Sequence, residues 1–579
     1  MSLIQKFRNI RECRDNSEIY DVYYKENLDD KLIYFESRNG LDFAGNIFRI
    51  IKELSNGNYG DFKINVFALN DVSSKIRQFQ KNYNLKIDKI ISNEKEASKI
   101  LEKAKYIFTD SGIRPKYIKK DGQIFVNTWH GTPLKLMGKD NPGEITSIGH
   151  IQHSLLSADY LIYPNDYMME KMMKSYMIDR IYPGEVLLEG YPRNSTFFVQ
   201  SLLKDKFNLT DTEIFVYMPT FRGDVNDKKD ADQKNDIEGF LSKIDLNLKD
   251  NQLLFVKLHP YNESQIDFTN YDKIKQFPVG FETYDVINMA DCLITDYSSV
   301  FFDFANTLRK IIIFNYDEED YLKDRGLYFP LSDLPYPKVS DIDELISELN
   351  LDKNYDDSQF VEEYCRYDNP DAAKRICEHI FKNNDSCITK DNFNEANNIL
   401  VYAGSLTDDR IDEVAKLLKP DYNYYITFKQ WDEYILKNHE HILEKIPGNV
   451  YFLPFRSNLT LTVNEKRDYN KYFKSDDGEF PQSLHNLYAR TFDKQFKNLN
   501  FKAIVNLDMK GYDESFIFTH SDVKTILICD GIQSINNKSK DTLKRFDRIF
   551  VPDNELKSLL SEHIDDNKIN LINEWDDIL

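Results

Sequence analysis

The run Gln123-Ile124-Phe125-Val126-Asn127-Thr128-Trp129-His130-Gly131-Thr132-Pro133-Leu134-Lys135 sets the pattern for the first half of the chain. Ile124-Phe125-Val126 reads as a short buried strand, because it is wholly apolar and ends in polar and small residues. Pro133 then suits the first turn of a helix. A histidine at such a switch is held by the strand on one side. It faces the free N–H groups of a helix start on the other, which favours an anion. Alone, the stretch also describes a tight turn with a structural histidine, so its meaning depends on the flanking chain.

Upstream, residues 31–36, 63–69 and 104–109 are further strand candidates, separated by helix-length segments. Downstream, residues 159–163 and 185–189 continue the alternation. Strands spaced by helices predict a mostly parallel sheet covered on both faces. In such sheets ligands sit beyond the carboxyl ends of the strands, where His130 falls. Met168, Met169, Met172, Met173 and Met177 recur at helical spacing and predict a softly packed, inward-facing helix. Gly190-Tyr191-Pro192-Arg193-Asn194 follows the next strand, and its arginine has the fork geometry that grips phosphate.

A second unit repeats the alternation from about residue 200 to 385. Strand candidates lead into Met218-Pro219-Thr220-Phe221-Arg222 and Lys257-Leu258-His259-Pro260. Lys257 and His259 fall on one side of an extended strand, since side chains alternate with period two. Thr295-Asp296-Tyr297-Ser298-Ser299 follows a very short strand and leads into Phe302-Asp303. Two hydroxyls and free amides there would cradle a phosphate. Arg325-Gly326-Leu327-Tyr328 comes next, and residues 358–382 read as a closing helix broken near Pro370. Residues 224–236 read as a charged, exposed loop.

Composition narrows the function. At 579 residues the chain needs three or four domain-sized units. A formal net charge of −21 argues against nucleic acid as a partner, since phosphate-backbone binding needs a basic surface. Cys13, Cys292, Cys365, Cys377, Cys387 and Cys529 include no CxxC pair, so neither a zinc cluster nor a disulfide framework is signalled. A reducing, cytoplasmic compartment is expected. No signal peptide or membrane span is legible.

Taken in order, the six motifs make the chain resemble the CDP-glycerol glycerophosphotransferases, the teichoic-acid primases and polymerases of bacteria, over residues 30–385. The resemblance implies an α/β fold of GT-B architecture, with two Rossmann-like domains facing across a cleft. The acceptor-side domain is expected over 1–200 and the nucleotide-donor domain over 201–385. It implies transfer of glycerol phosphate, or a related polyol phosphate, from a CDP-activated donor to a lipid-linked or polymer acceptor. CMP is released, in teichoic-acid or capsule-type synthesis. It also implies a peripheral position at the inner face of the cell membrane. His130 matches the family's general base and His259 a histidine beside the donor pyrophosphate. Lys257, Arg193, Arg222, Thr295, Ser298, Ser299 and Arg325 match donor-phosphate positions. Gly131, Thr132, Lys135, Asp296 and Asp303 are expected in support.

The implied chemistry is attack of an acceptor hydroxyl on the β-phosphorus, with His130 near neutral pKa as base and His259 protonated. Asp296 and Asp303 do not make a convincing metal pair. No tightly bound cofactor or protein metal site is expected, and Mg²⁺ would act by neutralising substrate phosphate. Three departures leave ribitol phosphate or a glycosyl phosphate open: Ser195 and Phe221 stand where the family has Asp and Trp, and the chain is strongly acidic where the family often shows basic, membrane-seeking helices. A nucleotide-sugar glycosyltransferase, or a non-catalytic subunit of a polymer-assembly complex, is the alternative.

Residues 396–579 read as an additional α/β domain resembling half of a glycosyltransferase, with strands near 398–402, 424–428, 450–454, 503–507, 525–529 and 548–551. It is expected to be a structural or acceptor-binding module, or part of a chain cut short. Gly404, Asp508, Lys510, Gly511, Tyr512 and Asp530 fall at its strand ends, where turn chemistry alone explains them. Residues 461–480 read as a polar loop.

Overall fold

A computed structural model describes residues 3–141, 144, 148–220, 230–258, 266–318, 321–322, 326–428, 449–455, 459–474, 479–509, 511–531, 536–572 and 578–579. The chain builds three sheets. The first holds β1 (Asp29–Glu36), β2 (Lys63–Phe67), β3 (Lys89–Ile91), β4 (Ala104–Thr109), β5 (Ile124–Asn127), β6 (Tyr160–Tyr163) and β7 (Glu185–Leu188). The second holds β8 (Glu213–Met218), β9 (Gln252–Val256), β10 (Ile274–Gln276), β11 (Cys292–Thr295), β12 (Lys310–Phe314) and β13 (Lys338–Val339). A short β14 (Thr389–Lys390) then returns to the first sheet and pairs antiparallel with β7. The third sheet holds β15 (Asn398–Tyr402), β16 (Asn423–Thr427), β17 (Val450–Phe452), β18 (Ala503–Asn506), β19 (Thr525–Ile528), β20 (Arg548–Val551) and β21 (Ile569–Leu571).

Apart from β14 the strands are parallel, and each sheet, counted from its own first strand, runs 3-2-1-4-5-6, with a seventh in the first and third. This is the doubly wound order, whose switch point lies between its first and fourth strands. Two facing Rossmann-like domains of GT-B type and a C-terminal Rossmann-like domain are therefore present. Alternation explains the layers: in β5, Phe125 faces one core with Leu155 and Leu161, while Val126 faces the opposite core with Phe35 and Phe108.

The third domain is not a separate bead. The core on the Phe125 face runs without interruption into the third sheet, through Tyr176, Met177, Phe452 and Tyr425. Gln152, on helix Ile148–Ser157, donates its amide to the carbonyls of Tyr176 (2.8 Å) and Phe452 (2.9 Å). Met168, Met172, Met173 and Met177 are buried, and the Met177 sulfur accepts the Phe452 N–H at 3.3 Å. An N-terminal helix, Leu3–Lys25, spans the junction. Arg490 of the third domain lies 4.1 Å over the Tyr20 ring of that helix and is gripped by Glu465 at 2.7 and 2.9 Å.

The structure departs from the sequence reading in four places. No helix starts at Pro133. Leu134 is drawn into the core of the second domain, and Lys135 bridges to Leu327, so the segment stays extended. Residues 230–236, expected in a loop, belong to helix Asp230–Asn247. Residues 463–474 form helix Val463–Lys474 rather than loop, because Glu465 and Tyr472 are buried, Glu465 against Arg490. Helix Ala372–Lys382, expected to close the second unit, crosses back to the first. Its Phe381 meets Tyr106 at 4.6 Å and Phe62 at 5.0 Å.

Candidate active site

β5 delivers His130 to the carboxyl edge of the first sheet, three residues beyond Asn127. Asn127 shapes the turn, its side-chain oxygen accepting the Trp129 N–H at 2.9 Å, and Trp129 adopts a left-handed φ of 50°. The indole then stacks on the His130 ring, 4.5 Å between centroids and 22° between planes. His130 Nδ1 lies 2.7 Å from the carbonyl oxygen of Asp110, at the end of β4. A carbonyl only accepts, so Nδ1 carries the proton and Nε2 presents a lone pair. Burial, the Arg38 charge and, more weakly, Arg193 push the imidazole down to about 3, against the Asp110 bond that favours the charged form. The expectation of a near-neutral pKa is thus corrected. His130 is already deprotonated at neutral pH, because burial disfavours its charged form and the Arg38 and Arg193 charges add to that.

Asp110 organises this edge twice. Its carbonyl fixes His130, while its carboxylate accepts the Ser37 hydroxyl and the Arg38 N–H, each at 2.7 Å. Arg38, Asn39 and Gly40 follow β1 with φ of 49°, 56° and 81°. Two non-glycine residues in this region cost roughly 1–3 kcal/mol each, and such strain collects at functional sites. Neither Asp110 nor Arg38 stood out in the sequence beyond ending a strand.

Arg193, expected on the donor phosphates, has a different environment. Its Nη2 meets Asp303 at 2.7 Å and its Nη1 donates to the His130 carbonyl at 3.0 Å. Its plane lies between the Tyr191 and Tyr284 rings, at 4.6 and 4.8 Å. Tyr284 also donates to Asp303 at 2.9 Å. Arg193 and Asp303 are both buried. The geometry makes Arg193 a brace that fixes the histidine from behind. The rest of its motif is clamped by Asp368, whose carboxylate accepts Tyr191 N–H (2.9 Å), Asn194 (2.9 Å) and Asn306 (2.8 Å). Gly190, at φ +74°, leaves no room for a side chain, since a Cβ there would meet the Asp368 Cα at 2.6 Å.

The two halves of the cleft meet at Gly131. A Cβ on it would lie 2.5 Å from Ser299 Oγ, so glycine lets the histidine motif close onto the second domain. Ser298 and Ser299 are partly exposed at the start of helix Val300–Phe304, and the Ser299 side chain makes no cap bond. Asp296 holds the neighbouring loop, accepting the Thr220 N–H at 2.8 Å and hydroxyl at 2.7 Å. Thr295 is fully buried and donates to the Met218 carbonyl at 2.7 Å, which places its hydroxyl in the scaffold. Thr132 is buried too, accepting from Asn165 at 3.3 Å.

Lys135 lies 5.3 Å over the Tyr321 ring, which stacks at 3.7 Å on Tyr297. The backbones of Leu136 and Gly326, and of Tyr328 and Leu134, bond across the cleft at 3.0 and 2.9 Å. The first and last motifs are therefore sewn together. Lys257 follows β9, half-buried, 4.9 Å over the Phe277 ring. His259, Arg222 and Arg325 lie outside the described residues. Among the described residues no cluster of three or more His, Cys, Asp or Glu side chains could hold a metal ion.

Two Rossmann-like domains, closed around a braced histidine with hydroxyls on the facing edge, define a GT-B-type transferase fold. The family model described as CDP-Glycerol:Poly(glycerophosphate) glycerophosphotransferase matches residues 18–382, and the chain belongs to that family. The teichoic acid poly(glycerol phosphate) polymerase of Bacillus spizizenii is 29% identical over 421 residues, 65% of this chain and 98% of that protein. The polymerase of the same description from Staphylococcus epidermidis is 28% identical over 414 residues, 66% of this chain but 55% of its own length. This chain thus spans about half of that longer relative. A solved structure of the wall teichoic acid polymerase TagF shares the fold, with a TM-score of 0.52 and 24% identity, covering 66% of this chain and 98% of that one.

Proposed function

We propose that the chain transfers glycerol phosphate, or a related polyol phosphate, from a CDP-activated donor to a lipid-linked or polyol-phosphate acceptor, releasing CMP, in teichoic-acid or capsule-type synthesis. The observation that carries this reading is the His130 tautomer, with Nδ1 spent on the Asp110 carbonyl and the lone pair on Nε2, on the residue next to Gly131, which closes onto Ser299 across the cleft. In this reading the acceptor hydroxyl gives its proton to Nε2 as its oxygen bonds to the β-phosphorus. The bond from that phosphorus to the CMP oxygen breaks. Preorganised donors stabilise the charge on the equatorial oxygens. Ser298, Ser299, Lys257 and, from the family resemblance, His259, Arg222 and Arg325 are assigned to the donor phosphates. Mg²⁺ is assigned to the substrate.

The membrane surface belongs to the same reading. Among the described residues no helix is long and apolar enough to cross a membrane. The start of helix Leu3–Lys25, however, exposes Ile4, Phe7 and Ile10 among Lys6, Arg8 and Arg11, and this basic charge is what would draw it to an anionic bilayer. Sedimentation with anionic vesicles at low salt, lost in Phe7→Glu, is the expected result.

The reaction is tested by nucleotide release from CDP-glycerol, CDP-ribitol and UDP-sugars, with a lipid-like glycerol-phosphate acceptor and a His259→Ala control. CMP from one CDP-polyol, dependent on His259, is expected. UDP from a sugar donor and no CMP would refute the reading.

A further inference from the structure

The cations of the first sheet's mouth are mostly spent inside the protein. Lys75 pairs with Asp42 at 2.6 Å, Arg114 with Glu36 at 3.3 Å and Arg193 with Asp303 at 2.7 Å. Arg49 pairs with Asp285 of the second domain. Arg38 differs. It is exposed, and among the described residues no carboxylate forms an ion pair with its guanidinium. Its position is nonetheless fixed with care. Asp110 holds its N–H and the preceding hydroxyl, and Ser111 takes the Asn39 N–H at 3.2 Å. Gly40 fits against the Phe67 ring, which a Cβ would meet at 2.4 Å. A strained backbone that aims an unpaired arginine out of the switch point is a built device, since an ordinary surface arginine needs no such support.

We propose that the turn at residues 37–40 is a subsite for a phosphate on the acceptor, with the Arg38 guanidinium as its ligand beside the base His130. Arg38 and His130 hang from the same residue, Asp110, one by its carboxylate and one by its carbonyl. A phosphate on Arg38 therefore sets the hydroxyl of the same acceptor near Nε2. The donor side lies across the cleft, at Ser298 and Ser299. Binding also acts on the base. The charges facing His130 are Arg38 from the β1 turn and Arg193 from beyond β7, with Asp303 already paired to Arg193. An acceptor phosphate offsets Arg38, which raises the proton affinity of His130 when the nucleophile arrives.

This inference deepens the proposed reaction and rests on it, but its first test needs no turnover. Calorimetry with a soluble glycerol-phosphate oligomer and its dephosphorylated counterpart, without donor, is expected to show selective binding of the phosphorylated form. Arg38→Ala should lose that preference on the order of tenfold or more, and Arg38→Lys should recover part. In turnover, Arg38→Ala should raise the KM of the acceptor and leave that of the donor within about twofold, as expected of a one-sided contact. The acid limb of its kcat/KM profile should move to higher pH, because a charge that depresses His130 is gone. An unchanged preference for the phosphorylated oligomer overturns the subsite, and so does a rise in the donor KM alone. CMP release failing with every CDP-polyol, with the binding preference intact, would instead indict the reaction and spare the subsite.

Discussion

The first and third sheets share a strand order, and they also share a frame at the switch point. Two residues past its first strand, each turns left-handed: Arg38 at φ 49° in one, Gly404 at φ 68° in the other. An aspartate from beyond the fourth strand meets that turn in both. Asp110 accepts the Arg38 N–H, and Asp508 lies so close to Gly404 that a Cβ would touch its carboxylate at 2.2 Å. Past the fifth strand stand His130-Gly131 in one sheet and Asp530-Gly531 in the other. The third domain thus keeps the geometry of the mouth, with Gly404 and Asp530 where the first has Arg38 and His130. Topology fixes where a site can form, and side chains decide whether one does. The third domain instead commits its apolar surface to the first, through the core that joins them.

The strongest challenge to this contrast is at His130. His130→Ala should lower kcat by about 10²–10⁴-fold, the usual contribution of a general base, with a melting temperature near that of wild type. An equal loss in Asp530→Ala would erase the distinction between the sheets. Next, Arg490→Ala tests the docking. It strands the buried Glu465 carboxylate and removes the cation over Tyr20, so a cost of about 3–5 kcal/mol is expected. Denaturant titration should show it, with hydrogen-exchange protection of helix Leu3–Lys25 falling in parallel. No change would mean that this pair does not secure the third domain.

A smaller effect sharpens the view of the first domain. Burial, only partly offset by its hydrogen bonds, raises Asp368 to about 7. Its folded pKa lies above the unfolded value, so the folded state holds the proton more tightly. The stability this group contributes is full below about pH 4 and is lost as pH rises through about 7. Urea midpoints measured across that window should fall in wild type, and Asp368→Asn should lack this component. Smallest of all, Asp530→Ala at an exposed turn should leave stability within about 0.5 kcal/mol and turnover within about twofold.

What the sequence hid follows a physical pattern. Strands such as β11 and β12 were legible to the residue, since a short apolar run between polar turns leaves few alternatives. Pro133 misled, because the partner that holds Lys135 extended is Leu327, almost two hundred residues away. Asp110, Arg38 and Asp368 were missed for the same reason. Each matters through bonds to residues distant in sequence, and each has an ordinary local context.

By itself, then, the sequence determined the αβ alternation, the doubly wound class and the motifs that identify the family, because hydrophobic period and turn chemistry are local. Only the tertiary structure decided which motif residues face the cleft and which brace it from within. It turned Arg193 inward onto Asp303, spent Thr295 on a carbonyl, fixed the proton of His130 on Nδ1 and left Arg38 aimed outward. Burial and partnership set those roles, and both are properties of the assembled fold.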